Sequence, residues 1–202
     1  MDLKPIAQRT GTSGPTGSVG YCLSAGDVPS SSFSPGTGQV MVGFDNFFRA
    51  GSDPFPCDDL RANVFRGGVL FDLAVFDVVA TATFSFEAAR SISRTNGETV
   101  GSIPGQSVAT TLGIATQAFT PTMPETGLMS MTAGPNVAVT VTGPVGDWAT
   151  KAVPNFGFVI GGPTGLVDNS NPPKNNNASL SWYQKFNLHL VYNPTLNPRA
   201  PQ

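Results

Sequence analysis

The sequence predicts an all-β fold, an antiparallel two-sheet jelly-roll sandwich with an extended N-terminal arm and a short C-terminal tail, and three observations carry that expectation. Short runs alternate apolar and polar residues, as half-buried strands do. Gly (23) and Pro (18) break those runs often enough for many tight turns and no long helix. Only 12% of the residues are charged while 14 are Phe, so apolar surface suffices for one core in a chain of 202 residues.

Residues 1–38 are rich in Gly, Ser, Thr and Pro and form the arm; such composition buries little of its own and orders only against a partner surface, its own domain or a neighbouring subunit. The sandwich is expected over 39–193. It opens with Val40, Val42 and Phe44 in alternation, followed by a polar loop through Asp45, Asn46, Asp53, Asp58 and Asp59. A strand entered through Gly67-Gly68 places Val69, Phe71 and Leu73 on one face, and Thr81–Phe86 places Ala82, Phe84 and Phe86 on one face. After a Ser/Asn/Gly loop near 94–105, Val108–Phe119 is apolar and Thr-rich, and Met123–Met131 is irregular with gap-filling methionines. Val137, Val139 and Val141 form the next strand. A Trp-anchored connection at Asp147-Trp148 and an Asn155-Phe156-Gly157 turn lead into a short buried strand, Phe158–Ile160. A long loop, 161–177, precedes the last strand, Leu180–Tyr192, with Trp182, Gln184, Phe186, Leu188 and Leu190 on one face and Tyr183, Lys185, Asn187, His189 and Val191 on the other. Residues 194–202 are a Pro-rich tail. Roughly eight strands result, with no internal repeat.

The net charge of -2 offers no basic field for nucleic acid. No apolar run approaches the ~20 residues that cross a bilayer, so no membrane insertion is expected. Met1-Asp2-Leu3-Lys4-Pro5 lacks the pattern of a secretory signal, and the expected location is extracellular or the surface of a virion or other particle. Cys22 and Cys57 either join the arm to the first loop as a disulfide or stay free thiols. One His and no Cys-x-x-Cys argue against zinc.

Candidate sites are few. Asp45, Asp58 and Asp59, with Asn46 and Asp53, offer oxygen donors of the kind calcium takes; Asx turns are the plainer reading. Asn175 and Asn176 in the second polar loop, with Tyr183 on the strand face away from Trp182, are the glycan-binding candidates; Trp148 reads as a core anchor. Asn177-Ala178-Ser179 matches a glycosylation sequon. Catalysis finds no support: His189 sits in mid-strand without a Gly-x-Ser-x-Gly elbow, Glu87, Glu98 and Glu125 are isolated in sequence, and Gly161–Gly165 lacks the lysine of a phosphate loop.

Phe71-Asp72-Leu73, Ala82-Thr83-Phe84, Asp147-Trp148 and Asn155-Phe156-Gly157-Phe158 together resemble the motifs of the DNRLRE-type, or disaggregatase-related, carbohydrate-binding modules, over residues 40 to 192. The resemblance implies a β-sandwich, binding to polysaccharide or cell-surface glycan and, in some members, a structural calcium. Two functions are therefore expected from the sequence. The first is a non-enzymatic structural protein, homo-oligomeric or part of a larger assembly, that decorates a particle or filament. The alternative is a carbohydrate-binding module with an adhesive role.

Overall fold

The computed structural model describes residues 1–13, 35–49, 59–95, 98–103, 108–109, 111–119, 123–132, 134–163 and 178–201. Its elements are β1 (Asp2–Leu3), β2 (Ala7–Ser13), β3 (Val40–Arg49), β4 (Asp59–Leu70), β5 (Thr81–Thr95), β6 (Glu98–Ile103), β7 (Thr111–Ala115), β8 (Glu125–Ser130), β9 (Asn136–Thr140), α1 (Thr142–Ala149), β10 (Phe158–Gly161) and β11 (Ala178–Val191), closed by a 3-10 turn at Pro194–Leu196. The all-β expectation holds. In place of two separate sheets, the eleven strands form one connected sheet, in the order β6-β5-β11-β3-β4-β10-β7-β8. All its pairings are antiparallel.

The sheet curls because its long strands change partners along their length. On one side of β4, residues from 64 onward pair with β2; on the other side β3 gives way to β10 after Phe65. Likewise β5 pairs with β9 from Thr83 to Glu87 and with β6 from Ser91 onward, with β11 on its other side. The main core, enclosed by this curl, holds Val40, Val42, Val69, Phe71, Phe84, Phe86, Phe158, Phe186, Leu188 and Leu190. Met41, Phe65, Ile92, Leu180 and Trp182 form a second cluster on the opposite face, with the Arg90 guanidinium 4.0 Å from the Trp182 ring centroid.

The facing of β11 corrects the sequence reading. Strict alternation puts Tyr183 opposite Trp182, Phe186, Leu188 and Leu190. In the structure Tyr183 shares the main core with Phe186, Leu188 and Leu190, and Trp182 alone of that set lies in the second cluster. The cause is an irregularity between Gln184 and Asn187, at Lys185 (φ 53°), where one extra residue shifts the period of the strand. Downstream of it every side chain exchanges faces.

Residues 142–149, read from sequence as a connection, form α1. Pro144 falls in its first turn, where no intrahelical N–H bond is lost, and Val145, Trp148 and Ala149 bury one stripe. Within the segment 1–38, β1 pairs with β11 and β2 with β4; residues 14–34 lie outside the described residues. Asp2 Oδ1 accepts from Asn187 Nδ2 at 2.8 Å and stands 3.0 Å from His189 Nδ1, contacts that hold its exposed carboxyl below the ordinary carboxylate value. In the tail, Asn197 is fully buried. Its Oδ1 accepts from Asp77 N (2.7 Å) and Val78 N (2.9 Å), and its Nδ2 donates to Val78 O and Asn193 O, both at 2.8 Å, so three of these bonds fix the tail on the 72–80 loop and the fourth closes the local turn onto Asn193. Among the described residues no helix is long and apolar enough to cross a membrane.

Candidate functional site

The C-terminal ends of β4, β9 and β11 and the N-terminal ends of β5 and β10 lie at one end of the sheet, because antiparallel pairing brings Thr81 beside Val191 and Val69 beside Phe158. The connections there are tied by backbone bonds: Ile6 N to Leu70 O, Ala80 N to Val191 O and Leu190 N to Met1 O, each 2.8 Å. Eight large hydrophobic side chains stand exposed among the described residues, and all but Leu128 of β8 belong to the segments 1–6, 70–81, 141–157 and 188–200 that meet at this end. Ile6, 64% exposed, and Leu196, 53% exposed, are the most open of the seven at this end.

A cavity of about 280 Å³ opens at the same end, lined by Ile6, Leu70, Phe71, Asp72, Leu73, Ala74, Trp148, Lys151 and Asn155. The C-terminus of α1 builds one wall. Lys151 adopts φ 63° just past the helix, and its ammonium donates to Ala149 O (2.9 Å), Phe76 O (3.2 Å) and Leu73 O (3.4 Å). Asn155 braces the facing wall: Nδ2 donates to Phe71 O at 2.8 Å and Oδ1 accepts from Gly157 N at 3.0 Å. Trp148 is buried as the sequence predicts, with its ring 4.8 Å from Phe158, yet its Nε1–H has no acceptor.

A second polar feature crosses the outer face of β4, β10, β7 and β8. Arg66 Nη1 lies 3.0 Å from Glu125 Oε1, while Glu125 Oε2 is buried without a hydrogen-bond partner. Gly68, Val159 and Gly113 form a row across three strands. A methyl group on Gly68 would lie 2.9 Å from the Phe119 ring, and one on Gly113 would lie 2.3 Å from Glu125 Oε2, so the bare backbone lets both side chains lie against the sheet.

Burial pushes the Glu125 carboxyl above its ordinary value of 4.5, with Arg66 opposing. A raised folded-state value means that the folded protein holds the proton more tightly. The contribution of Glu125 to stability is therefore greatest below 4.5 and declines as pH rises through the raised value. Glu125→Gln is expected to remove this dependence. In urea unfolding series from pH 4 to 7, stability relative to the variant should fall with rising pH; a rise would refute the assignment.

The sequence-predicted sites fare unevenly. Tyr183, proposed as an exposed sugar platform, is fully buried: its ring packs edge-on to Phe86 at 5.2 Å and its hydroxyl accepts from Ala109 N at 2.7 Å. Asn175 and Asn176 lie outside the described residues, as do Cys22 and Cys57 of the candidate disulfide. Of the calcium candidates, Asp45 is buried and ion-paired with Arg94, which reaches it across Ala178, the small residue paired with both. In the backbone register Asp59 stands opposite Arg49, four residues further along the β3–β4 ladder from Asp45, so the Cα atoms of the two aspartates are separated by roughly 13 Å along the strands at the strand rise; Asp58 lies outside the described residues. Among the described residues no three His, Cys, Asp or Glu gather as a metal site. His189 is exposed, and Glu87 pairs with Lys185 at 2.9 Å. The Arg66–Glu125 pair and the cavity beside Trp148 escaped the sequence reading because their members lie dozens of residues apart. The signal available was Gly68 and Gly113 inside otherwise apolar strands.

Comparison with protein-family models, with curated proteins and with solved structures finds no match, so nothing there identifies a carbohydrate-binding-module family for this chain.

Proposed function

We propose that this protein is a non-enzymatic structural component that packs against further protein copies on a particle or filament. Its fold would be a jelly-roll-like sandwich that rolls the curled sheet around the Phe-rich core. The observation that carries this reading is the gathering of exposed apolar side chains at one end of the sheet, where the N-terminal segment also docks. Exposed apolar surface of this kind marks protein contacts, and a net charge of -2 provides little repulsion between copies. An arm that contacts neighbouring subunits adds interface without a change of fold.

The test is native mass spectrometry of the full chain beside a Val191→Asp, Leu196→Asp double variant. Both side chains are exposed, so the fold should survive. Oligomers of the native chain that fall to monomers in the variant support the reading; monomers in both exclude self-assembly through this end. The alternative, polysaccharide binding, now depends on Asn175 and Asn176, since its aromatic candidate Tyr183 is enclosed.

A further inference from the structure

We propose that the outer edge of β9 is a strand-pairing site whose partner is β9 of a second copy of this chain, joined about a two-fold axis at Ala138. The site rests on the assembly reading for the nature of its partner, but it uses none of the exposed apolar side chains of that reading. β9 pairs with β5 alone, in unbroken register from Asn136 opposite Glu87 to Thr140 opposite Thr83. Ala88 N donates to Pro135 O at 2.8 Å and Val141 N to Ala82 O at 2.9 Å, so the odd-numbered residues of 135–141 turn their backbone groups toward β5. The N–H and C=O groups of Asn136, Ala138 and Thr140 therefore point to the open side. Among the described residues they meet no hydrogen-bond partner, and all three residues are exposed.

Unpaired strand edges are normally blunted by charges, proline or bulges. The other strands with a single partner carry such a guard: Asp2 in β1, Arg9 in β2, Glu98 in β6, and in β8 a register shift at Gly127, where φ is 61°. β9 carries none, and no charged residue lies between Glu125 and Asp147. Its own sequence supplies the matching strand. With Ala138 opposite Ala138 of the second copy, Asn136 faces Thr140 and Val137 faces Val139. This register sets the outward residues of both copies against one another, so every outward N–H finds a carbonyl. Val139, half-buried in the single chain, gains cover from Val137 of the second copy, a favourable pair of branched side chains. No like charges meet, and the methyl side chain at the axis lets the strands approach.

Native mass spectrometry and amide hydrogen exchange over a dilution series of the full chain test the site. On assembly, exchange at Asn136, Ala138 and Thr140 should slow roughly tenfold, while Val137 and Val139, already bonded to β5, change little. Ala138→Pro removes the N–H of each copy at the axis without touching a bond to β5, and should weaken association roughly thirtyfold, the worth of two hydrogen bonds. Ala138→Lys keeps the N–H but sets two ammonium groups face to face, and should weaken association as well; retained protection of Val137 and Val139 shows that its fold is intact. Loss of association in Ala138→Lys supports the site whatever the Val191→Asp, Leu196→Asp variant does. Undiminished association overturns it, and if the double variant then dissociates, assembly through the apolar end stands without β9. Fast exchange at the three outward amides in an assembled species, or a chain monomeric at every concentration, overturns the site too.

Discussion

Gly43→Ala is expected to lower the unfolding free energy by about 4 kcal/mol, near the upper end of what a single substitution does. Gly43 sits inside β3 with φ 120°, between Leu180 of β11 and Phe65 of β4. A methyl group there would stand 2.0 Å from the Ser179 carbonyl oxygen and 3.0 Å from its carbon. Both atoms are backbone, fixed by the β3–β11 ladder, so the clash is relieved only by parting the strands. Gly38 is the control: its φ of 71° is also in the left-handed half, but nothing lies within 4 Å of a methyl group. Gly38→Ala should cost only the backbone strain, about 1 kcal/mol. Urea unfolding of both variants decides the matter; equal losses would show that β3 does not pass so close to β11.

Phe84→Ala should cost about 3–5 kcal/mol and lower Tm by about 10 °C, since each kcal/mol moves the midpoint of a chain this size by about 2–4 °C. Phe84 is fully buried and its ring meets four others: Phe158 at 4.9 Å, Phe86 at 5.3 Å, Phe71 at 5.6 Å and Phe186 at 6.3 Å. Those rings come from β4, β5, β10 and β11 or their margins, so a void at this point loosens both walls of the curl at once. Phe84→Leu, which keeps most of the volume, should lose less than half as much. Calorimetry measures both, and a Phe84→Ala midpoint within two degrees of the native one would remove Phe84 from the centre of the core.

The strands with clear alternation were legible in the sequence because one wall of each faces the core. Ala82, Phe84 and Phe86 are the plainest case, and Phe158–Ile160 was legible as a short apolar run. The facing of β11 was not, because a single residue at positive φ, Lys185, inverts the alternation and nothing about a lysine announces that role. Nor were β1 and β2, whose Gly/Thr-rich surroundings gain order from β11 and β4 rather than from their own apolar content. The α1 helix hid behind Gly143 and Pro144, residues that usually stop helices and here occupy its first turn. Site geometry was least legible. Arg66 meets Glu125, and Trp148 meets Phe71, only after the sheet has curled, and no local spacing encodes such meetings.

The pairing of Asp2 with His189 closes a loop of 187 residues. Bringing such distant segments together is an entropic obstacle that local structure cannot lower, and folds dominated by distant pairings form in milliseconds to seconds rather than microseconds. During synthesis at about 5–20 residues per second, β1 and β3 wait for β11 with unpaired edges, a span of roughly ten seconds or more. Such waiting edges invite pairing with neighbouring nascent chains. The yield of this protein should therefore depend on how fast, and how crowded, its synthesis is.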